Sequence, residues 1–334
     1  MRLVNFISKL EPHLDRILDS IPASKFFSLL CRHALCFPRS VPFHYLFNQK
    51  IQRVELQARL HSLGIKPKSA KVWWPRGRAD NFGDLLTHYI LAHVAGIDSQ
   101  FDIKKNFIAV GSVIRLAENH SKVWGSGIIR ASELIKSKPR CLAVRGPLTR
   151  ERLLASGVEC PPIYGDPALL LPLIRKKAET TDAVRVVPHF KHFQFIRRAT
   201  ALDVIDLRVR TIHELEATID LIASSKKVIT SSLHAFILSV AYQVPVSLFS
   251  IPGMSIHGDD IKFRDFSLGA GADEPKMHRL ASSEDVDAQL QKLSAESKLV
   301  IYEWDPLPLL GSLGEIMPTD QYRRFVATAA TLDA

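Results

Sequence analysis

The residues best suited to chemistry lie between Lys227 and Phe249, and the central one is His234. The apolar run Val228–Thr230 predicts a buried strand, and a helix with an apolar face follows it. Ser231 and Ser232 precede this helix and are residue types that commonly cap one. His234 therefore lies where the helix begins, and there free N–H groups attract an anion and a histidine can move a proton. A packed or surface histidine in an ordinary crossover is the alternative.

Arg145 is the strongest candidate for a cation that binds a ligand. It directly follows the predicted buried strand Cys141–Val144, so we expect its guanidinium to project into a cleft and to bind phosphate or carboxylate. A surface arginine that caps the sheet is the alternative. Gly111-Ser112 and Gly125-Ser126-Gly127 end two further strands, where glycine lets a ligand approach the backbone or simply allows a tight turn.

A basic loop is expected to overhang the same cleft. Lys262, Arg264 and Asp265 lie between Gly258 and Gly269, after the strand that pairs with the His234 segment. The two basic residues add to the positive charge that an anionic ligand would need.

Two carboxylates and a histidine are candidates for binding a second substrate. Asp84 and its neighbour Asn81 open a predicted helix over residues 85–95, and Asp166 precedes a proline. A helix cap and a turn are the plain alternatives for these two acids. On separate loops they could also orient sugar hydroxyls or take a proton. His189 follows another strand, in a stretch that could equally be a solvent-exposed loop.

Short apolar strands alternate with helices along most of the chain. Four strands that end in glycine or arginine precede residue 170, and a second alternation begins at Val184. Later elements include a helix over 212–224 and a strand over 299–302. This pattern predicts an α/β fold with two Rossmann-like domains that face one cleft, because parallel sheets bind ligands beyond the carboxyl ends of their strands.

The expected organisation has four parts. They are a basic, mostly helical N-terminal extension (1–68), an N-terminal Rossmann-like domain on the acceptor side (69–175), a C-terminal Rossmann-like domain on the donor side (182–305) and a C-terminal helical tail (306–334).

The net charge of +10 lies entirely in the N-terminal segment, because residues 1–78 hold 14 Lys and Arg against 4 Asp and Glu. Aromatic and basic residues over 25–39 are typical of an amphipathic segment at a membrane surface. A helical appendage with a solvated basic face is the alternative. A nucleic-acid partner is not expected, since no aromatic platform is interleaved with the charge.

The composition is that of a globular protein, with 46% hydrophobic and 23% charged residues. No apolar run is long enough for a membrane span, and no secretory leader is recognisable. The four cysteines have no metal-binding spacing, so we expect reduced thiols in the cytoplasm and no metal cofactor.

Taken together, these motifs resemble the polysaccharide pyruvyltransferase family over about residues 70–270. The residues that carry the resemblance are Asn81-Phe82-Gly83-Asp84, Gly111-Ser112, Trp124-Gly125-Ser126-Gly127, Ala143-Val144-Arg145 with Thr149 and Glu151, Tyr164-Gly165-Asp166-Pro167, Val187-Pro188-His189 and Thr230-Ser231-Ser232-Leu233-His234-Ala235. The segment before residue 65 and the tail lie outside it.

The resemblance implies a GT-B-like fold and transfer of the enolpyruvyl group of phosphoenolpyruvate to sugar hydroxyls, giving a pyruvate ketal on a bacterial exopolysaccharide or cell-surface glycan. It implies that His234 acts as acid and base and that Arg145 binds the donor. Asp84, a carboxylate that could take a proton, is expected to be a further catalytic residue. The family often carries arginine where this chain has Ser232. A donor-binding charge is therefore expected from Lys262, Arg264 or Lys191 instead.

The remaining donor contacts are expected from the strand ends and the helix start. These residues are Gly111, Ser112, Gly125, Ser126, Ser231, Ser232 and Leu233. Asn81, Asp84, Asp166 and His189 are expected to bind the acceptor.

Two other functions remain open from the sequence. A nucleotide-sugar glycosyltransferase shares a two-domain cleft, and a non-catalytic subunit of a polysaccharide-assembly complex could keep the fold. If the acceptor is a lipid-linked oligosaccharide, residues 1–60 have a purpose, because they would hold a cytoplasmic enzyme at the inner face of the membrane.

Overall fold

The computed structural model describes residues 41–75, 81–281 and 285–332, and its backbone alternates strands and helices. The strands of these residues are β1 (Lys68–Val72), β2 (Ile97–Phe101), β3 (Phe107–Ile108), β4 (Lys122–Trp124), β5 (Arg140–Ala143), β6 (Val184–Val187), β7 (Asp203–Val204), β8 (Lys227–Thr230), β9 (Val246–Ser250) and β10 (Met277–Arg279).

Eleven α-helices belong to the described residues, and short 3-10 turns lie at Ile114–Leu116 and Pro167–Leu170. The helices are α1 (Val41–Ser62), α2 (Phe82–Ala95), α3 (Pro147–Ala155), α4 (Leu171–Ile174), α5 (Phe193–Ala199), α6 (Ile212–Ala223), α7 (Leu233–Ala241), α8 (Ile261–Gly269), α9 (Val286–Glu296), α10 (Pro306–Gly314) and α11 (Asp320–Leu332).

The named strands pair in parallel, so the predicted α/β fold with parallel sheets is confirmed. In the first half, β1 pairs with β2, and β3, β4 and β5 pair in that order. A parallel bridge between Trp73 and Ile108 joins the two groups, so the strand order reads β2-β1-β3-β4-β5.

The second half repeats this order, because its sheet reads β7-β6-β8-β9-β10. In such a sheet, the first strand lies between the second and the third, so the strand order runs in opposite directions on its two sides. The crevice between the first and third strands, at their carboxyl ends, is the usual ligand site. The two crevices lie beyond β1 and β3 and beyond β6 and β8. The second crevice contains His189 and the start of α7.

One apolar core runs through both halves. Leu86 and Ile90 of α2 belong to the same buried cluster as Leu215 of α6 and Phe236 of α7. The halves are also joined by the backbone, since the Phe82 N–H donates to the Leu207 carbonyl at 3.0 Å. The residues at the start of α2 are therefore fixed against the second half. A GT-B-like division into two domains stays a prediction.

Helix α1 is bound to both halves by charged side chains. Arg53 makes a bidentate contact with Asp98 of β2 at 2.7 to 3.0 Å, and Arg59 donates to Glu216 of α6 at 2.6 Å. The carboxylate of Glu55 accepts the Ile212 N–H at the start of α6. This part of the N-terminal extension packs on the body, whereas residues 1–40, with the proposed membrane segment, lie outside the described residues.

Two predicted elements are wrong. The stretch between Gly258 and Gly269 is no loop, because residues 261–269 form helix α8 with Phe263 and Phe266 buried against Phe236. Residues 299–302 are extended but form no strand, and their nearest pairing is a single antiparallel bridge from Lys298 to Val246.

Candidate active site

His234 lies in the first turn of α7 and is the one partly exposed residue of that helix. Its Nε2 atom is buried and has no hydrogen-bond partner among the described residues. Burial, with help from the charges of Lys262 and Arg145, lowers the pKa of His234 to about 4. The imidazole is therefore neutral at pH 7, and a buried nitrogen without a partner is a costly feature that a bound substrate would relieve.

The start of α7 offers further donors. Ser232 is the N-cap residue of α7, as predicted, but its side chain accepts no hydrogen bond from the first turn. The Ser232 N–H donates instead to the hydroxyl of Thr230 at 2.9 Å. An uncapped first turn keeps its N–H groups available for an anion, beside the imidazole of His234.

Gly83 brings the first half into contact with this imidazole. A Cβ atom built on Gly83 would lie 2.1 Å from Cε1 and 2.3 Å from Nδ1 of His234, so only glycine lets the ring approach the start of α2. Asn81 caps α2, since its side chain accepts the Gly83 N–H, and Asp84 lies in the first turn. The motif at residues 81–84 therefore forms one wall beside His234.

Ser231 joins the two loops at the crevice of the second sheet. Its hydroxyl accepts the His189 N–H at 3.0 Å and lies 2.9 Å from Nδ1 of His192. The other nitrogen of His192 lies 2.6 Å from the Met254 carbonyl, so this buried ring donates there and accepts from Ser231. Burial lowers the pKa of His192, which keeps the ring neutral in this arrangement.

His189 is partly buried beside these loops. Burial and then the charge of Lys262 lower its pKa to about 3. The same lysine lowers the pKa of His234, so Lys262, His189 and His234 share one electrostatic environment. Lys262 itself is buried in α8, whereas Arg264 of the same helix is exposed and makes an ion pair with Glu274 at 2.6 Å. The two basic residues thus have different surroundings.

Arg145 is fully buried, so the expectation that it projects into an open cleft is wrong. Its guanidinium donates to Asp265 of α8 at 3.0 Å, to the Ser112 hydroxyl at 2.6 Å and to the Ile128 carbonyl at 2.7 Å. Asp265 also accepts the N–H and the hydroxyl of Thr149. This network ties the two halves together, and a role of Arg145 in donor binding stays a prediction.

Glycines make that junction possible. A Cβ on Gly146 would lie 1.7 Å from the Asp265 carbonyl oxygen, and one on Gly269 would lie 2.2 Å from the carbonyl oxygen of Arg145. Gly127 lies under the guanidinium of Arg145, where a Cβ would be 2.4 Å from Cζ. The backbones of α8 and of the loop after β5 are therefore in direct contact.

The strand-end residues of the first sheet bind one another. Ser126 is buried and donates to the Gly111 carbonyl at 2.8 Å, and Gly125 has φ +82° and packs on Pro167. Asp166 accepts the Ala168 N–H at 3.0 Å through one oxygen, and its other oxygen is buried and makes no full hydrogen bond to a described residue. Burial raises the pKa of Asp166 to about 6, although the nearby Gly111 N–H acts to lower the pKa of this carboxyl group. This carboxyl group can therefore gain or lose a proton near neutral pH.

The structure thus brings together His234, Gly83, His189 and Lys262, while Arg264 has its own surface partner. His192, which positions the His189 and Ser231 loops, was not predicted as a site residue, although it lies in the same stretch as His189. Its signal was weak, because a histidine three residues after His189 has no motif of its own. Among the described residues, no three His, Cys, Asp or Glu side chains converge as metal ligands would. A reaction without a metal stays a prediction.

A comparison with known proteins places the chain in a family. A family model described as polysaccharide pyruvyl transferase matches residues 3–251, which include every site residue up to His234. The chain belongs to the polysaccharide pyruvyl transferase family. The match begins at residue 3, so the N-terminal segment expected to lie outside the family is part of it.

One curated relative in this comparison is "Uncharacterized protein L143" of Acanthamoeba polyphaga mimivirus. It is 27% identical over 168 residues, which is 48% of this chain and 58% of that protein. The match therefore spans little more than half of that relative. Among the residues that the structure describes, no helix is both long and apolar enough to cross a membrane.

Proposed function

We propose that this protein transfers the pyruvyl group of phosphoenolpyruvate to two hydroxyls of a surface glycan, which forms a pyruvate ketal and releases phosphate. The observation that supports it most is His234, whose buried Nε2 lacks a partner among the described residues and lies at the uncapped start of α7. Family membership supports pyruvyl transfer in general. The donor and the acceptor are parts of the proposal.

The charge around His234 suits a small anion with more than one negative group. Lys262 and Arg145 both lower the pKa of His234, and Lys262 lowers that of His189. A bound carboxylate and phosphate would offset these positive charges and raise the pKa of the imidazole. His234 would then carry a proton only when the donor is present.

The proposed reaction needs one proton to move in a cycle. His234 gives a proton to the methylene carbon of phosphoenolpyruvate, and the neighbouring carbon takes on positive character. The first sugar hydroxyl bonds to that carbon and returns its proton to the imidazole. The second hydroxyl displaces phosphate, which carries away the second proton, and the ketal closes. N–H groups at the start of α7 would stabilise the charge on the donor.

The acceptor side is assigned to the first half. Asp84 lies in the first turn of α2, next to the Gly83 contact, and Asp166 has a buried oxygen that makes no full hydrogen bond to a described residue. Carboxylates in these positions can accept hydrogen bonds from sugar hydroxyls.

The test uses phosphoenolpyruvate labelled in the pyruvyl carbons and glycan from a strain that lacks the gene. His234→Gln should lose at least about a hundredfold in rate and should keep its melting temperature, because general acid catalysis contributes 10²–10⁴-fold. His213→Gln is the matched control, since His213 is exposed on α6. Label that reaches the glycan at the same rate with His234→Gln would refute the proposal, as would transfer from a nucleotide sugar instead.

A lipid-linked acceptor at the inner face of the membrane is a further part of the proposal. Because Arg53, Glu55 and Arg59 hold α1 to the body, a truncation should stop at residue 40. Loss of residues 1–40 should then release the protein from anionic vesicles without unfolding it. Unchanged sedimentation with vesicles would contradict membrane contact through this segment.

A further inference from the structure

We propose that Lys262 is the residue that binds an oxyanion group of the donor beside His234. The inference rests on the proposed function and gives its anion site a specific cation. It assigns anion binding to Lys262 and not to Arg264, the other basic residue of α8.

The ammonium group of Lys262 is buried but has few hydrogen-bond acceptors. The side chain is buried, with the residue 7% exposed, and Nζ has a single hydrogen-bond acceptor, the His257 carbonyl at 3.1 Å, and a cation–π contact at 5.4 Å from the centroid of the Phe263 ring. An ammonium carries three N–H donors, so two are left without an acceptor among the described residues. No described carboxylate lies within ion-pair distance of Nζ, and a buried charge without a counter-ion is costly.

Two of the acids near Lys262 are bound to other groups. Asp265 of the same helix accepts hydrogen bonds from Arg145 and Thr149. Asp259 accepts the N–H groups of Ala131 and Ile261. Asp260 adds a negative charge nearby but makes no ion pair with Lys262 among the described residues.

Positive and neutral groups outweigh the negative ones around Lys262. Burial and the charge of Arg145 lower the pKa of Lys262 to about 8, and Lys191 acts in the same direction, although Asp260 and Asp259 oppose it. His189 and His234 respond to the same ammonium with lowered pKa values. An anion placed between Lys262 and His234 would satisfy the lysine donors and the Nε2 atom together.

The start of α8 is held firmly enough to position this ammonium. The Asp259 N–H donates to the Ile129 carbonyl at 3.2 Å, and a Cβ on Gly258 would lie 2.2 Å from that same oxygen. The segment before Lys262 is therefore packed directly on the first half. A bound anion would meet a lysine whose location both halves determine.

The experiment compares Lys262→Met with Arg264→Met, two residues on in the same helix. Phosphate and phosphoenolpyruvate binding are measured by calorimetry, and KM and kcat by the label-transfer assay. Lys262→Met should weaken binding of both ligands, and raise KM, by about 10- to 100-fold, because a hydrogen bond to a charged group contributes 1.5–3 kcal/mol. Lys262→Arg should recover part of the affinity, and Arg264→Met should change neither value by more than about twofold.

Stability separates ligand binding from a structural role. Without an anion, Lys262→Met should melt at the same temperature as the wild type or higher, since it removes an uncompensated buried charge. Phosphate should raise the melting temperature of the wild type and not that of the variant. Equal phosphate binding by wild type and Lys262→Met, or a lower melting temperature in the variant with normal affinity, would overturn the inference. A wild type that binds phosphate through Lys262 but transfers no pyruvyl group would refute the proposed function instead.

Discussion

Replacement of Gly83 by alanine tests whether the contact between the two halves positions the catalytic imidazole. The new Cβ would lie 2.1 Å from Cε1 of His234, whereas carbon atoms in contact are separated by about 3.5–4.0 Å. Either the ring or the start of α2 has to move by about 1.5 Å. A misplacement of about 1 Å can cost about a hundredfold in rate, so kcat/KM should fall by that factor or more.

Stability should change much less than activity. Alanine favours a helix over glycine by up to about 1 kcal/mol, which partly offsets the cost of the crowded contact, about 1–3 kcal/mol. Gly311→Ala is the matched control, because Gly311 lies within α10 and a Cβ there meets no atom within 4 Å. That variant should keep full activity.

The assay is transfer of labelled pyruvyl groups under conditions where kcat/KM is measured directly, with urea unfolding on the same samples. The double variant Gly83→Ala/His234→Gln should be no slower than His234→Gln alone, because both changes remove the same function. If Gly83→Ala retains kcat/KM within about threefold of the wild type, the imidazole is not positioned by this contact and the reasoning fails.

Three further predictions concern stability. Asp265→Asn should cost about 3–5 kcal/mol in urea unfolding, because it leaves the guanidinium of Arg145 buried without its counter-ion. Glu274→Gln, which breaks an exposed ion pair, should leave the unfolding midpoint almost unchanged, and equal losses in the two variants would contradict the buried pair. Tyr89→Phe should cost about 1.5–3 kcal/mol of stability, because the Tyr89 hydroxyl donates to the buried carboxylate of Glu216 at 3.0 Å. Tyr242→Phe should cost about 1 kcal/mol, because it loses a hydrogen bond to a neutral carbonyl. A larger loss for Tyr242→Phe would refute the claim that the charged acceptor makes the stronger bond. The pKa of His234 is about 4 in the folded protein and about 6.5 in the unfolded chain, so the unfolded chain binds the proton more tightly. As the pH falls from about 6.5 to about 4, the free energy of unfolding of the wild type should drop by up to about 3 kcal/mol relative to that of His234→Gln. If the two proteins have parallel curves of stability against pH, the pKa of His234 is not lowered.

Local patterns predicted most of the elements that position the site. The strand over Lys122–Trp124 is confirmed with its bounds, and the helix predicted over 212–224 ends one residue earlier. The helix predicted to stop at Gly96 is confirmed as well, since α2 ends at Ala95. Gly96 ends it in the left-handed conformation, with φ +62°. Such features depend on neighbours in the sequence.

Helix α8 was missed because its bounding glycines suggested a loop. The spacing of Phe263 and Phe266 is helical, and both rings are buried against Phe236 of α7. Gly269 allows the backbone of α8 to contact the backbone of Arg145. A glycine that serves a tertiary contact cannot be told apart in the sequence from one that ends an element.

The location of His234 could be predicted, and the surroundings of Arg145 could not. The turn before α7 follows from a short strand and a helix that are adjacent in the chain. The partner of Arg145 is Asp265, which lies 120 residues away, and no spacing rule connects two such residues. The run over 299–302 shows the opposite case, since β-forming residues there have no strand to pair with along the part of the chain that the structure describes.

The central claim is that the donor binds at the start of α7 against the buried Nε2 of His234. The most direct measurement is a crystal structure of the His234→Gln variant, which should bind but not turn over the donor, soaked with phosphoenolpyruvate. The account predicts the donor between residue 234 and the ammonium of Lys262, with its carboxylate or phosphate on the N–H groups of the first turn of α7. A donor bound anywhere else, with the start of α7 occupied only by solvent, would contradict it.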